Sequence, residues 1–128
     1  MLWPHPAVAH PQLLEHGSRL HWAQVAAREL RLDLVVNFIF YHDTYWMTVD
    51  NAAMNKAIFA ALKSGGTYVI VDHSATAGTG SSASQTLHLV EESTVRAEVE
   101  AAGFKVVASA DVLRNPADPR DWNASPGA

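Results

Sequence analysis

Between Leu20 and Leu32 the apolar side chains recur at spacings of three and four. Trp22, Val25, Ala26 and Leu30 share one face, with Arg28, Glu29 and Arg31 opposite them. That spacing predicts an amphipathic helix. The pattern then changes abruptly. Leu34 to Tyr41 reads LVVNFIFY, a run too short for a typical helix and rich in β-branched and aromatic residues, so it predicts a strand. Because the run hardly alternates, both faces of that strand are expected to be buried, as in a parallel sheet.

Next, Thr48 or Asp50 is placed to cap a second helix whose apolar stripe is Met54, Ala57, Ile58, Ala61 and Leu62. Lys63 followed by Gly65 and Gly66 supplies its stop. Thr67 to Val71 (TYVIV) predicts a second buried strand, closed by Asp72 and His73. Ser74 to Ser84 contains only small residues and is expected to be a mobile surface loop with nothing to anchor in a core. Val95, Val99 and Ala102 fall at i, i+4 and i+7 among Glu91, Glu92, Glu98 and Glu100, which predicts a third helix ending at Gly103. Phe104 to Ala110 predicts a third strand. From Arg114 onward the chain is rich in turn residues.

Helices alternating with short apolar strands build a parallel sheet through right-handed crossovers, with helices on both faces. The expected fold class is therefore α/β. The chain's 128 residues suffice for one domain. Residues 1–32 form a divergent lead-in with one helix, 33–118 hold the α/β alternation, and 119–128 form a loose tail.

Composition narrows the chemistry. The chain is 48% hydrophobic and 17% charged, as in globular rather than disordered proteins. It has no cysteine, which removes disulfides, thiolate nucleophiles and cysteine-based zinc sites. The net charge of −4, with the basic residues scattered, provides no stripe for a phosphate backbone, so no nucleic-acid partner is expected. No apolar stretch approaches the roughly 20 residues that span a bilayer, and no membrane contact is expected. Met1 to Gly17 lacks the charged and apolar regions of a signal peptide, which points to the cytoplasm by default.

In open parallel sheets, ligands bind outside the carboxyl ends of the strands. The first strand delivers Asn37 within its length and His42 and Asp43 at its exit; the second delivers Asp72 and His73. Were the strands neighbours, both His-Asp pairs would share one edge, where an imidazole with an orienting carboxylate can act as a general base. The plainer alternative is that His42 and His73 cap backbone groups at strand ends.

Other motifs carry less. Gly78-Thr-Gly80-Ser-Ser-Ala83 matches G-x-G-x-x-A, but Asp72 to Ala77 separate it from the strand that such a phosphate turn follows directly, so a plain loop is expected. Asp72, His73 and a nearby serine lack the G-x-S-x-G elbow of a hydrolase. His5, His10, His16 and His21 are not spaced to stack two imidazoles on one helical face, and no metal site is expected. Asn123-Ala-Ser125 is a glycosylation sequon with no secretory context.

Taken together, DLVVNFIFYHD (Asp33 to Asp43), AMNKAIFAALKSGGTYVIVDHSA (Ala53 to Ala75) and HLVEESTVRAEVEAAGFKVVASADVLRNPAD (His88 to Asp118) resemble the C-terminal half of class I S-adenosylmethionine-dependent methyltransferases. The D-L-V-V strand, L-K-x-G-G before the next strand and E-A-A-G-F before the third carry the likeness. It implies a partial Rossmann-like methyltransferase fold, S-adenosylmethionine as cofactor and a small-molecule methyl acceptor as substrate. It also implies that Asn37 and Phe38 lie near the methyl-donor pocket, while His42, Asp43 and His73 line the acceptor side as the catalytic candidates.

The family's glycine-rich loop and ribose-binding acidic residue should both precede Asp33. There the only glycine is Gly17, with no apolar strand before it. The chain therefore reads as a fragment or a mis-started product of such an enzyme. The competing expectation is a non-catalytic α/β remnant that binds no cofactor and self-associates through an unpaired strand edge.

Overall fold

The computed structural model describes residues 31–125. The helix expected from Leu20 to Leu32 falls outside them but for its last two residues, and Leu32 already opens a strand. The described residues form a mixed α/β unit around a two-stranded parallel sheet, in which β1 (Leu32–Phe38) pairs with β2 (Leu62–Val71). A short 3-10 turn (Tyr41–Tyr45) and helix α1 (Asn51–Ala61) make the crossover. A single helical turn, α2 (Ser84–Leu87), and helix α3 (Glu92–Ala101) follow.

Helix α1 starts where Asp50 accepts a hydrogen bond from the Ala53 N–H at 2.9 Å, so Asp50 rather than Thr48 is its cap. Its end comes earlier than the Gly65-Gly66 stop suggests. Leu62 is already extended, and the chain passes straight into β2. The glycines serve the strand instead. A Cβ on Gly66 would stand 2.9 Å from the Lys63 carbonyl and 3.1 Å from that of Leu32, which explains why only glycine suits the register irregularity between Leu32 and Leu34. Helix α3 ends as expected, with Gly103 at φ +110° and the Phe59 ring 3.2 Å from where its Cβ would be.

The expectation that both faces of β1 are buried is not met. Val35 and Asn37 are half-buried on the face that carries Tyr68, whereas Leu34, Val36 and Phe38 on the other face are 54%, 54% and 65% exposed among the described residues. Packing is one-sided because Phe104 stacks on Tyr68 (ring centroids 5.4 Å apart) and on Phe59 of α1 (5.1 Å). Leu34 to Tyr41 is therefore not the most buried segment, and the strand itself ends at Phe38.

The third strand, Phe104 to Ala110, does not form. Phe104 is held by its aromatic neighbours, but the chain beyond is irregular, and Val107 is 82% exposed. A strand needs a partner for its N–H and C=O groups, and its side chains alone cannot supply one.

Most of the core sits beyond the carboxyl edge of the sheet, with Ala61 and Leu62 buried at its amino edge. Tyr41, Thr44 and Asn55 are fully enclosed, and Ala61, Leu62, Ala75, Ser84, Leu89, Val90 and Val99 complete it. The loop from Ser74 to Ser84 is thus anchored at both ends, contrary to expectation. Ala75 donates its N–H to the Val90 carbonyl at 2.9 Å and Val90 its own to His73 at 3.0 Å. No helix among the described residues is long and apolar enough to cross a membrane.

Candidate functional site

The register pairs Phe38 with Val71, so both strands end at the same edge. There Ile39 turns the chain at φ +50° and donates its N–H to the Val71 carbonyl at 2.7 Å. A β-branched residue rarely adopts that conformation; here it swings the 3-10 turn across the end of β2. The result is that His42 and Asp43 meet Asp72 and His73.

His42 is only 3% exposed. Its Nδ1 lies 2.6 Å from Asp72 Oδ1, and its backbone N–H donates to Asp72 Oδ2 at 2.8 Å. Asp72 Oδ1 also accepts the His73 N–H at 2.8 Å. This carboxylate therefore fixes the end of both strands and the imidazole between them. On the far side of the ring, Nε2 is 3.0 Å from Asp43 Oδ1 and 3.2 Å from His88 Nδ1. His88 Nδ1 in turn lies 3.3 Å from Asp43 Oδ1, and Trp46 Nε1 donates to that same oxygen at 3.0 Å. A hollow of about 200 Å³, lined by Ile39, Trp46, Ala124 and the three polar side chains, opens beside them.

The structure thus brings together the expected His42 and Asp43. His73 shares the edge, with its ring 6.3 Å from that of His42, but stands outside the His42–Asp43–His88 group. Asn37 is on the sheet, where its Nδ2 donates to the Tyr68 hydroxyl at 3.3 Å and its Oδ1 is buried without a partner. Phe38 points its side chain to the exposed face. Neither belongs to the polar cluster.

Asp72, which the sequence offers as an orienting carboxylate at the strand exit but which the resemblance does not place among the catalytic candidates, joins the site, and so does His88. His88 went unrecognised because it follows the one-turn helix α2, where it adopts a left-handed conformation at φ 57°, and only tertiary packing carries it to the β1 exit. No local signal marks it beyond its polarity ahead of the buried pair Leu89-Val90.

A polar layer supports the cluster from below. The Tyr41 hydroxyl donates to Glu98 Oε2 at 2.7 Å and accepts from Asn55 Nδ2 at 2.7 Å. Burial and the Glu98 carboxylate push the Tyr41 and Tyr45 phenols far above their ordinary range, so both remain neutral, Tyr41 as a donor to Glu98 and Tyr45 with its hydroxyl buried and unpaired. Their task is positional.

The glycine loop does not form a free phosphate cradle. The Gly78 and Gly80 N–H groups both donate to Glu91 Oε2, at 3.0 and 2.8 Å. Together with the Ser93 hydroxyl, the largest contributor, they hold the Glu91 carboxyl below the usual carboxylate range. The chain's own carboxylate occupies those amides. No serine hydroxyl is hydrogen-bonded to a histidine among the described residues, which leaves the hydrolase arrangement without its central contact.

Chemically, the edge offers an imidazole fixed by one carboxylate, with its second nitrogen facing Asp43 and His88 beside a hollow. That is the arrangement of a positioned proton acceptor. The chain matches no protein-family model, no curated protein and no solved structure.

Proposed function

We propose that this chain is a methyltransferase-type α/β protein with a partial Rossmann-like sheet, in which a small acceptor sits at the carboxyl edge of β1 and β2. The observation that carries this reading is the His42–Asp72 pair, whose 2.6 Å contact fixes the ring at the end of two parallel strands, with Nε2 beside the hollow that Asp43 and His88 also line. The resemblance over Asp33 to Asp118 supports S-adenosylmethionine as the methyl donor, with Asn37 and Phe38 on the donor side. S-adenosylmethionine, when bound, would supply a sulfonium methyl whose transfer to the acceptor heteroatom leaves a neutral thioether, and His42 would take the acceptor's proton at Nε2. Most of the acceleration in such a step comes from holding the two reactants in line.

Calorimetric titration with S-adenosylmethionine, followed into the millimolar range, tests the reading. Saturable binding that S-adenosylhomocysteine displaces is the expected result. Its affinity should be about tenfold to a hundredfold below that of an enzyme with a ribose-binding carboxylate, since losing one charge-assisted contact costs about 1.5–3 kcal/mol. Heat that never saturates would refute it.

A second reading is favoured by the exposed row Leu34, Val36 and Phe38 beside an unpaired β1 edge among the described residues. Here the chain is a non-catalytic module that associates with a second copy through that edge. Sedimentation should then show dimers or larger species that Phe38→Lys shifts toward monomer. A monodisperse wild-type monomer removes this alternative.

A further inference from the structure

We infer that His42, Asp43 and His88 form a binding site for a divalent first-row transition ion of the zinc type, with Asp72 as the outer carboxylate that orients His42. This assignment stands on the cluster's own geometry and not on the methyl-transfer reading. Three donor atoms, His42 Nε2, Asp43 Oδ1 and His88 Nδ1, lie 3.0, 3.2 and 3.3 Å from one another. Zinc bonds of about 2.0–2.1 Å place neighbouring tetrahedral ligands about 3.3–3.4 Å apart, and octahedral ones about 2.9 Å. A point about 2.05 Å from all three atoms lies roughly 0.9 Å out of their plane, so the spacing of the three atoms matches ordinary zinc bond lengths.

The His42 ring sits between two carboxylates. A neutral imidazole carries one ring hydrogen, yet both nitrogens of His42 face carboxylate oxygens, Asp72 at 2.6 Å and Asp43 at 3.0 Å. With the hydrogen on Nδ1 toward Asp72, the Nε2 lone pair points at an anionic oxygen, and His88 Nδ1 adds a third electron-rich atom. A cation between them turns this repulsion into coordination. Among the described residues neither Asp43 nor Asp72 pairs with a lysine or arginine, so no side-chain cation of that kind neutralises the two charges.

The surroundings match a built site. Ligating histidines characteristically donate their other nitrogen to a carboxylate, which fixes the ring and its tautomer; Asp72 does this while held by two backbone N–H groups. Trp46 fixes the Asp43 oxygen. The hollow beside the triangle leaves room for water or a ligand at an open coordination position, as in zinc sites with three protein ligands. An ion on Nε2 takes the lone pair that a proton would otherwise take, so the site alternates between proton acceptor and metal ligand.

The test uses the full chain with His5, His10, His16 and His21 each changed to Gln, because a lead-in rich in histidine binds metals by itself. Co²⁺ is titrated and followed by its visible ligand-field bands, then displaced by Zn²⁺. One equivalent at micromolar affinity or tighter is expected. His88→Ala and Asp43→Asn, both at half-exposed positions, should weaken binding at least about a hundredfold, and Asp72→Asn about 10–100-fold. Circular dichroism establishes that each variant is folded. Failure of the four-Gln chain to bind in saturable fashion, or unchanged affinity in folded His88→Ala and Asp43→Asn, would overturn the assignment and leave an imidazolium bridging two aspartates. Neither outcome touches S-adenosylmethionine binding, so the two readings fail separately.

Discussion

Replacing Tyr41 with Ala should lower the free energy of unfolding by about 3–5 kcal/mol, the range for truncating a buried aromatic. Tyr41 is fully enclosed and is the hub of the polar layer beneath the site. Its hydroxyl serves Glu98 and Asn55 at once, so truncation opens a cavity, strips the buried Asn55 amide of its acceptor and leaves Glu98 Oε2 with Asn51 alone. Against a typical domain stability of about 5–15 kcal/mol, that loss leaves little margin. Tyr41→Phe separates the two contributions. It keeps the ring and removes only the hydroxyl, and should cost about 1–3 kcal/mol through the unsatisfied Asn55 amide. Urea denaturation measures both. A change below about 1 kcal/mol for Tyr41→Ala would mean that the layer is not packed as described.

Asp72→Ala should be comparably disruptive, and Asp72→Asn more informative. The alanine variant strips partners from the backbone N–H groups of His42 and His73 and from the buried imidazole, each at about 1–3 kcal/mol. Asn retains the shape, but where its amide NH₂ faces His42 it can no longer accept the Nδ1 proton. His42 is then driven to the other tautomer, and any reaction that relies on Nε2 as proton acceptor should slow by about 10²–10⁴-fold. Nitrogen-edited NMR reads the tautomer directly. The wild type should show a protonated, slowly exchanging Nδ1 that is lost in Asp72→Asn. An unchanged imidazole spectrum would place the proton elsewhere and remove Asp72 as the orienting group.

The site was partly legible because some of its logic is local. Two apolar runs ending in His-Asp and Asp-His define strand exits, and a parallel register brings such exits together whatever else the chain does. His42 and Asp43 were found in this way. His73 was found too, yet only its backbone N–H joins the cluster, since successive side chains at a strand end diverge. His88 was invisible. It lies far along the chain, and its approach depends on the Ser74–Val90 bridge and on the left-handed turn closing α2, both properties of packing.

The amino-acid pattern by itself marked two helices, two strands and a helical crossover between the strands, with ends that the structure moves by up to five residues, β2 opening at Leu62 and not at Thr67. Periodicity and capping are local physics, written within a few residues. What only the tertiary structure decided is what each surface meets. A mostly apolar run such as Leu34 to Phe40 reads as buried on both faces, but burial requires a neighbour, and among the described residues Phe104 and Phe59 pack on one side alone. Phe104 to Ala110 has the residues of a strand, yet it pairs with neither β1 nor β2. The convergence of His42, Asp43, Asp72 and His88 is likewise a matter of register and loop packing, because distances of about 3 Å between residues up to 46 positions apart are set by the whole fold and by no segment of it.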